Sequence, residues 1–456
     1  MIKVYISFVV TFLFSGITLA NNAITPPDTT SSIVDKTASL LLIEEGRTLF
    51  NEGKVRDALI IFRQAAIKDP NSSKAAFWIA QSQYAQNNYG LALKYALDAQ
   101  RLEPMDVDKE VYELLGRSYH RMGELDSAWV NYNIALEKLS NARLNDLQVK
   151  LHSEQCLFAK AELTNGNKSK RVGISEINTG YNDYAPILIN KGKTLYFTSR
   201  RSDTKGGNMN PDDQEFFEDT YYAVWNESTN SWDSVSNELG RINTTGFDCL
   251  NYISRDGLYG LMTINTSAVE EKPVTKGSDI FTFEMSTKSK WSTPKRISSK
   301  GINTSFFEGS ATMTGDGNTM YFVSDRKGDK SSTDIYVSQK VGKSWGEPKP
   351  LPFTINTTGR ETTPFISADG RYLFFSSDSR QGMGGLDVYV VENLGSTWGE
   401  PINLGATVNS VNNDSHFQYY PELNKAVMSS FEIIGQKASM DIYQIDMTDF
   451  KMPTGK

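Results

Sequence analysis

The sequence predicts a two-part chain, in which an α-helical solenoid precedes an all-β propeller. Over residues 37–165, apolar residues recur at helical spacing, and the prolines are confined to Pro70 and Pro104, which lie 34 residues apart. After residue 165 the sequence changes to short β-branched and aromatic runs separated by Gly, Asn, Asp and Ser. An Asp-x-aromatic triplet recurs there at spacings of 60, 55, 53 and 54 residues. Two arrays of repeats therefore follow one another along the chain.

The composition limits the classes of function. Among 456 residues, 47 Lys and Arg stand against 54 Asp and Glu, and the net charge of −7 disfavours binding to nucleic-acid phosphates. Cys156 and Cys249 are too few for a disulfide scaffold, and three histidines argue against a transition-metal site. We therefore predict no nucleic-acid partner, no metal and no cofactor.

The first 20 residues have the pattern of a secretory signal peptide. Lys3 precedes an apolar run over residues 4–13, and small residues lead to Ala20. The apolar run is shorter than the roughly 18 to 20 residues that cross a bilayer, so no transmembrane segment is expected. Cleavage after Ala20 would leave a Pro/Thr/Ser-rich linker over residues 21–36, and without a cysteine near that point a lipoprotein anchor is not expected. The alternative interpretation is a buried N-terminal helix.

The helical part contains three copies of a hairpin motif. Small residues stand where the two helices of a hairpin must approach, and an aromatic or large residue fills the gap between hairpins. The aligned positions are Gly46, Leu49, Gly53, Ala58, Phe62 and Ala65; Ala80, Gln83, Asn87, Ala92, Ala96 and Ala99; and Gly116, Tyr119, Gly123, Ala128, Tyr132 and Ala135. This pattern resembles the tetratricopeptide repeat (TPR), with departures at Gln83 and Ala96. Residues 142–163 are predicted to form a further helix that caps the stack within a domain over 37–165.

The resemblance implies a concave groove lined by the first helix of each hairpin. Counting along the three copies gives nine candidate protein-binding residues: Arg47, Phe50, Asn51, Phe77, Gln81, Tyr84, Arg117, His120 and Arg121. Three arginines among aromatic and amide groups suggest an extended partner that carries carboxylates. The alternative is that these charges only solvate the face. The two-carboxylate clamp of some chaperone-binding TPR proteins is not matched, because it requires Lys and Asn where this chain has Arg47, Gln81 and Arg117.

Each unit of the second part has the same order of elements. A tight turn, mostly Asp-Gly, precedes an apolar strand, and the Asp-x-aromatic triplet, a tryptophan and an Ile-Asn-Thr-like connection follow. The triplets begin at Asp219, Asp279, Asp334, Asp387 and Asp441; the tryptophans are Trp232, Trp291, Trp345 and Trp398; the connections begin at Ile177, Ile242, Ile302, Ile355 and Val408. Five four-stranded blades close into a ring if residues 171–176 supply the outermost strand of the last blade. Six blades is the alternative, if a degenerate unit lies between Arg200 and Asp219.

This second repeat resembles the WD40-like propeller family related to TolB, in a domain over residues 166–450 before a tail at 451–456. Behind a signal peptide, the combination of TPR and propeller is similar to a group of bacterial periplasmic cell-envelope proteins. Some of these, as the resemblance implies, belong to the type IX secretion machinery, and members often continue into an OmpA-like peptidoglycan-binding domain. No such domain is seen here, so the expectation is a periplasmic adaptor that binds protein partners there or at the outer membrane.

No known catalytic constellation is found in the sequence. Nucleophile-elbow, P-loop, His-Glu-x-x-His and Cys-x-x-Cys motifs are missing, and His416 beside Asp414 and Ser415 cannot form a relay within one loop. The acidic run between Asp212 and Asp219 could hold Ca²⁺ but lacks the spacing of a calcium loop, and a solvated insertion is the alternative. We therefore predict a non-enzymatic protein-interaction scaffold. The alternatives are a ligand-binding or sensor propeller that takes a glycan or peptide, and a hydrolase with its site on loops.

Overall fold

A computed structural model describes residues 31–103, 108–165, 170–210, 213–265, 277–286, 290–327, 332–434 and 437–452. The predicted signal peptide, most of the predicted linker, Pro104, Asp212 and the end of the tail lie outside these residues. The described chain contains an N-terminal array of helices followed by five β-sheets, as the sequence predicts.

The helical array consists of three antiparallel hairpins and an end segment. Its helices are α1 (Ile33–Asn51), α2 (Val55–Lys68), α3 (Ser73–Ala85), α4 (Tyr89–Leu102), α5 (Glu110–Arg121), α6 (Leu125–Lys138), α7 (Asn141–Asp146) and α8 (Val149–Thr164). Helix α1 begins within the segment that the sequence predicts as linker, because the Ser32 Oγ accepts a hydrogen bond from the Asp35 backbone N–H and caps the helix. The first helices α1, α3 and α5 neighbour one another along one side of the stack.

The small and large residues of the helical repeat meet as predicted. A Cβ at Gly46 would lie 2.5 Å from the Phe62 ring, and a Cβ at Gly116 would lie 2.6 Å from the Tyr132 ring. Phe62 and Tyr132 are fully buried between the helices. The close approach of the first and third hairpins therefore requires glycine, and the facing ring fills the space that the missing side chain leaves.

The end of the helical stack differs from the prediction of a single helix over residues 142–163. The helix breaks between α7 and α8, where Gln148 adopts a left-handed backbone conformation (φ 49°). The break turns Val149 into a hydrophobic cluster with Leu125, Tyr132 and Cys156. Burial of Val149 in that cluster favours the interruption over a continuous helix.

Five antiparallel sheets follow in the rest of the described chain. Blade 1 contains β2 (Asp183–Ile189), β3 (Thr194–Ser199), β4 (Asp219–Asn226) and β5 (Ser231–Ser236); blade 2 contains β6 (Phe247–Ile253), β7 (Tyr259–Asn265), β8 (Asp279–Glu284) and β9 (Lys295–Arg296); blade 3 contains β10 (Glu308–Met313), β11 (Thr319–Ser324), β12 (Asp334–Val341), β13 (Ser344–Trp345) and β14 (Lys349–Pro350). Blade 4 contains β15 (Glu361–Ile366), β16 (Tyr372–Ser377), β17 (Asp387–Glu392) and β18 (Ile402–Asn403); blade 5 contains β19 (Asp414–Tyr420), β20 (Lys425–Ile434), β21 (Lys437–Asp446) and β1 (Arg171–Gly173). A short helix, α9 (Gly405–Val408), precedes blade 5.

The ring closes as the sequence predicts. Strand β1 pairs antiparallel with β21, with Arg171 opposite Ile445, so the first strand of the domain completes the last blade. The first strand of each blade contacts the first strand of the next, and β19 of blade 5 contacts β2 of blade 1. The insertion over residues 200–218 forms only an isolated bridge between Met209 and Phe216 in its described part, and the described residues form no sixth sheet. The propeller has five blades.

The Ile-Asn-Thr repeat joins each blade to the one before it. In the connection before blade 4, the Asn356 side chain accepts from the Ile335 backbone N–H at 2.9 Å and donates to the Ile335 carbonyl at 3.0 Å. The Thr357 N–H and Oγ1 donate to the buried carboxylate of Glu361, the first residue of the innermost strand. Equivalent pairs of bonds are made by Asn178, Asn243, Asn303 and Asn409. The repeat is therefore explained by the backbone groups that it satisfies.

An arginine fastens these connections in a way that sequence reasoning missed. Arg326 donates to the Gly301 and Ile302 carbonyls and to the Glu308 carboxylate, and its guanidinium lies 4.7 Å from the centroid of the Tyr336 ring. Arg201 and Arg380 occupy the matching positions of blades 1 and 4. In blade 5 the corresponding cation comes from β1, where Arg171 pairs with Asp414.

Candidate interaction surfaces

The N-terminal half of the groove presents a cation and an aromatic cluster. The Arg47 guanidinium lies 5.2 Å from the centroid of the Trp78 ring and pairs with Glu44. Phe50 contacts the same tryptophan edge-on, and Asn51 is exposed at the end of α1. Of the predicted residues, Arg47, Phe50, Asn51 and Gln81 therefore reach the surface here, whereas Phe77 is buried in the core of the second hairpin.

At the centre of the groove, Arg117 is held by contacts with other residues of the helical array. Its guanidinium stacks 4.4 Å from the Tyr84 ring centroid and forms an ion pair with the buried Glu113. Burial alone would raise the pKa of the Glu113 carboxyl, but Arg117 and His152 beside it hold that pKa below its usual value. Because breaking this pair would leave a buried charge without its partner, Arg117 acts as part of the fold.

The C-terminal end of the groove is covered by the propeller. The His120 ring nitrogen Nε2 lies 2.8 Å from the Met383 carbonyl oxygen, and Arg121 donates to the Val411 carbonyl at 2.8 Å. Arg121 also contacts the Tyr84 hydroxyl at 3.3 Å. The sequence predicts that His120 and Arg121 face a separate partner, whereas the structure places both against loops of this same chain.

Two propeller loops form this interdomain contact. Met383 lies between β16 and β17, is buried, and joins the hydrophobic cluster of α6 and α8. Gln155 of α8 donates to the Arg380 carbonyl at 2.9 Å, and the Glu162 carboxylate accepts from the Ala406 N–H at 3.2 Å. Both loops lie at the face where the innermost strands begin, which we call the docked face. The end of the helical stack that an isolated solenoid would expose is therefore buried against the propeller.

His120 should make this contact sensitive to acid. Burial, followed by the charge of Arg121, lowers the pKa of the folded-state imidazole to about 3 from its usual 6.5. Because the unfolded chain takes up the proton first, this stabilisation is present above pH 6.5 and is lost as the pH falls from 6.5 towards 3. We expect His120 to account for a loss of about 2 kcal/mol between pH 7 and pH 5.

Urea unfolding at both pH values would measure this loss in the unaltered chain and in His120→Gln, whose amide can still donate to the Met383 carbonyl. The His416 contribution cancels, because both chains retain that residue. An equal loss in the two chains would show that His120 is not the sensor.

On the opposite face of the propeller, a cavity of about 510 Å³ opens at the axis. This turn face carries the hairpin turns after the innermost strands, at residues 190–193, 254–258, 314–318, 367–371 and 421–424. Apolar and aromatic side chains from all five blades line the cavity, among them Ile187, Tyr252, Met313, Phe365 and Tyr419. Met452, from the segment after the last strand, lies beside it.

The other candidate residues from the sequence are held by contacts within the fold. The Ser415 Oγ lies 3.0 Å from His416 Nδ1, but the Asp414 carboxylate is bound by Arg171 and by Ser410. Burial lowers the pKa of His416 to about 4.

In the acidic insertion, Asp213 and Glu215 pair with Arg200. Among the described residues, no cluster of His, Cys, Asp or Glu suits a metal ion, and both cysteines are free thiols.

The described helices were also compared with the requirements for a membrane-spanning helix. None of them combines the length and the apolar composition that crossing a bilayer requires.

Comparison with known proteins identifies no family. No protein-family model matches the chain. A curated relative, anaphase-promoting complex subunit 3 from Dictyostelium discoideum, is 30% identical over 105 residues, which is 23% of this chain. The chain spans only 11% of the length of that relative.

Solved structures resemble the two parts separately. The type III secretion chaperone SycD of Yersinia enterocolitica, in complex with a peptide of the translocator YopD, is 17% identical with a TM-score of 0.26, covering 28% of this chain and 99% of that chain. A glycoside hydrolase is 10% identical with a TM-score of 0.41, covering 70% of this chain and 100% of that chain. At these values the neighbours do not identify a function, and the assignment of helical repeats and propeller follows from the geometry above.

Proposed function

We propose that this protein is a non-enzymatic, periplasmic protein-interaction scaffold of the bacterial cell envelope, with an adaptor role in or near type IX secretion. The observation that carries the proposal is the division of the groove. Its α5 end is fixed to the propeller through His120 and Arg121, whereas its α1–α3 half leaves Arg47, Asn51 and Gln81 accessible. One unit thus offers two separate surfaces, the open half of the groove and the turn face.

The contacts of three buried carboxylates favour a structural role for these groups over catalysis. Asp414 is neutralised by Arg171, and the buried Glu308 and Glu361 carboxylates are bound by threonine hydroxyls and backbone N–H groups. These carboxylates hold the connections between blades. The signal-peptide pattern, together with the resemblance of the two repeats to envelope proteins, supports the periplasmic location.

A ligand-binding propeller is the second candidate. The cavity at the turn face favours it, because a concave, largely apolar site with a few polar groups at its rim is typical of binding sites. The two functions are compatible, since the cavity and the α1–α3 half of the groove lie on different parts of the molecule.

Crosslinking in the native bacterium tests the scaffold. We expect the tagged mature protein to crosslink to a partner with an acidic segment, and we expect Arg47→Glu combined with Gln81→Glu to remove that crosslink by charge repulsion. The matched control is Arg63→Glu with Gln64→Glu, which makes the same changes on exposed positions of α2. Circular dichroism would verify that both variants fold.

Equal crosslinking in the two variants would overturn the groove assignment. If the unaltered protein crosslinks to no protein at all, the scaffold role itself is wrong. Osmotic shock tests the periplasmic location independently. Release of the protein would support that location, and its retention in the cells would contradict it.

A further inference from the structure

The five hairpin turns of the turn face are joined in two groups. The turns of blades 5, 1 and 2 contact one another, and the Arg255 guanidinium of blade 2 reaches the Glu422 carboxylate of blade 5 at 2.9 Å. The turns of blades 3 and 4 are joined by a backbone bond from the Gly315 N–H to the Ala368 carbonyl at 2.8 Å. Both groups line the axial cavity. The opening therefore has two walls, each fixed by its own contacts.

A second depression adjoins the cavity. A polar cleft of about 600 Å³ lies between blades 3 and 4 and shares Ala368 and Asp369 with the cavity. Asp316 and Asn393 line the cleft, and Trp398 contributes an aromatic ring. An apolar cavity followed by a polar cleft forms an extended site, whose two parts suit different side chains of one ligand.

Two carboxylates, Asp316 and Asp369, line the cleft, and no lysine or arginine is among the described residues that line it. A third carboxylate, Asp256, lies in the turn of blade 2. Asp256, Asp316 and Asp369 accept hydrogen bonds within their own turns, and those bonds lower the pKa of each carboxyl, so all three are ionised at neutral pH. The Arg255 and Glu422 charges cancel in their ion pair. Lys191 and Arg255 line the axial cavity together with Asp369 and Glu422, so the excess of negative charge lies at the cleft. The surface is thus complementary to a ligand that combines positive charge with an apolar group.

The polar groups of the rim are already engaged in turns. The Asp369 Oδ1 accepts from Ser367 Oγ and from the Arg371 N–H, and the Asp316 Oδ1 accepts from Thr314 Oγ1 and the Asn318 N–H. These two aspartates therefore offer a ligand mainly negative charge, and the axial cavity offers apolar surface. This chemistry suits a protein side chain better than a glycan, which is recognised through many directed hydrogen bonds.

We propose that the turn face binds an extended protein segment in which an aliphatic or aromatic residue, seated in the axial cavity, is flanked by lysine or arginine residues placed over the cleft between blades 3 and 4. The proposal deepens the proposed function, because it assigns partner chemistry to the second surface of the scaffold. The apolar residue would act as the buried anchor and the flanking cations would set orientation.

Fluorescence anisotropy with short labelled peptides tests the site on the full mature chain. The probe has a leucine-tryptophan-leucine centre flanked by lysines, and two matched probes replace the lysines with glutamates or the apolar centre with serines. We expect the lysine-flanked apolar probe to bind at least tenfold more tightly than either matched probe. Its affinity should fall as salt rises, because the flanking contacts are ionic.

Variants of the chain locate the binding. Phe365→Ser removes an aromatic wall of the cavity, and the triple variant Asp256→Asn, Asp316→Asn, Asp369→Asn removes the charges while asparagine retains the turn hydrogen bonds. We expect each to weaken binding about tenfold or more, and the triple variant to lose most of the salt dependence. The control is Phe353→Ser, because Phe353 is 77% exposed in the connection between blades 3 and 4, at the docked face.

The proposal is wrong if the glutamate-flanked probe binds equally well, or if Phe365→Ser and Phe353→Ser bind alike while both remain folded. Binding of neutral lipid vesicles, of an oligosaccharide or of a second copy of the chain at this face, without peptide binding, would also overturn it. If the chain crosslinks to a partner through the groove but binds no peptide, the proposal for the turn face is wrong and the scaffold role stands. If the turn face binds the peptide but no protein crosslinks to the chain in the bacterium, the proposed scaffold role is wrong instead.

Discussion

Arg326→Met is expected to destabilise the propeller by about 3 to 5 kcal/mol, the range for removing one partner of a buried ion pair. Arg326 faces the fully buried Glu308 carboxylate at 3.2 Å and donates to the carbonyls of Gly301 and Ile302. Methionine can fill much of the space, so the loss would come from the uncompensated charge and the unsatisfied carbonyls. Urea unfolding followed by tryptophan fluorescence would measure the change.

Arg371→Met is the matched control. The Arg371 guanidinium also stacks on a tyrosine and pairs with Glu392, but its side chain is 54% exposed. An exposed pair contributes less than about 1 kcal/mol. Adding Glu308→Gln to Arg326→Met should recover part of the loss, because a neutral amide removes the buried charge. If Arg326→Met and Arg371→Met unfold at the same urea concentration, the arginine does not fasten the blades.

The periodic parts of the fold could be predicted because each unit repeats the same local requirement. Gly46 and Gly116 mark close helix contacts, and the Ile-Asn-Thr repeat marks a bond pattern that every connection must form. The arginines escaped prediction because their spacing varies. Arg201 and Arg326 follow the last serine of the second strand in their blades by two residues, whereas Arg380 follows Ser377 of β16 by three. In blade 5 the cation comes from a strand at the other end of the domain.

The candidate groove shows a different limit of prediction from the sequence. His120 and Arg121 lie on the first helix of their hairpin, as the repeat predicts, but their partners are 263 and 290 residues away in sequence. A helical pattern cannot indicate that a propeller loop will cover one end of the face. The axial cavity is hidden for a similar reason, since Ile187, Met313 and Tyr419 belong to different blades and converge only when the ring closes.

Met383→Asp is expected to separate the helical array from the propeller. The side chain is 1% exposed and packs in a cluster with Tyr132, Cys156 and Ala159. A carboxylate in that apolar site loses its hydration, and the cost of several kcal/mol exceeds what the surrounding polar contacts contribute. The interface should therefore open, which would release the bonds from His120 and Arg121 together.

Small-angle scattering and calorimetry would detect the separation as a larger radius of gyration and as two thermal transitions in place of one. Met383→Leu, which conserves volume, should keep the compact form at a cost below about 1.5 kcal/mol. Met209→Asp provides the matched charge control, because Met209 is 45% exposed and the same substitution there meets water. A compact Met383→Asp chain with a single transition would mean that Met383 does not join the two parts. Opening in that variant alone would make this buried side chain the anchor that converts two repeat arrays into one unit.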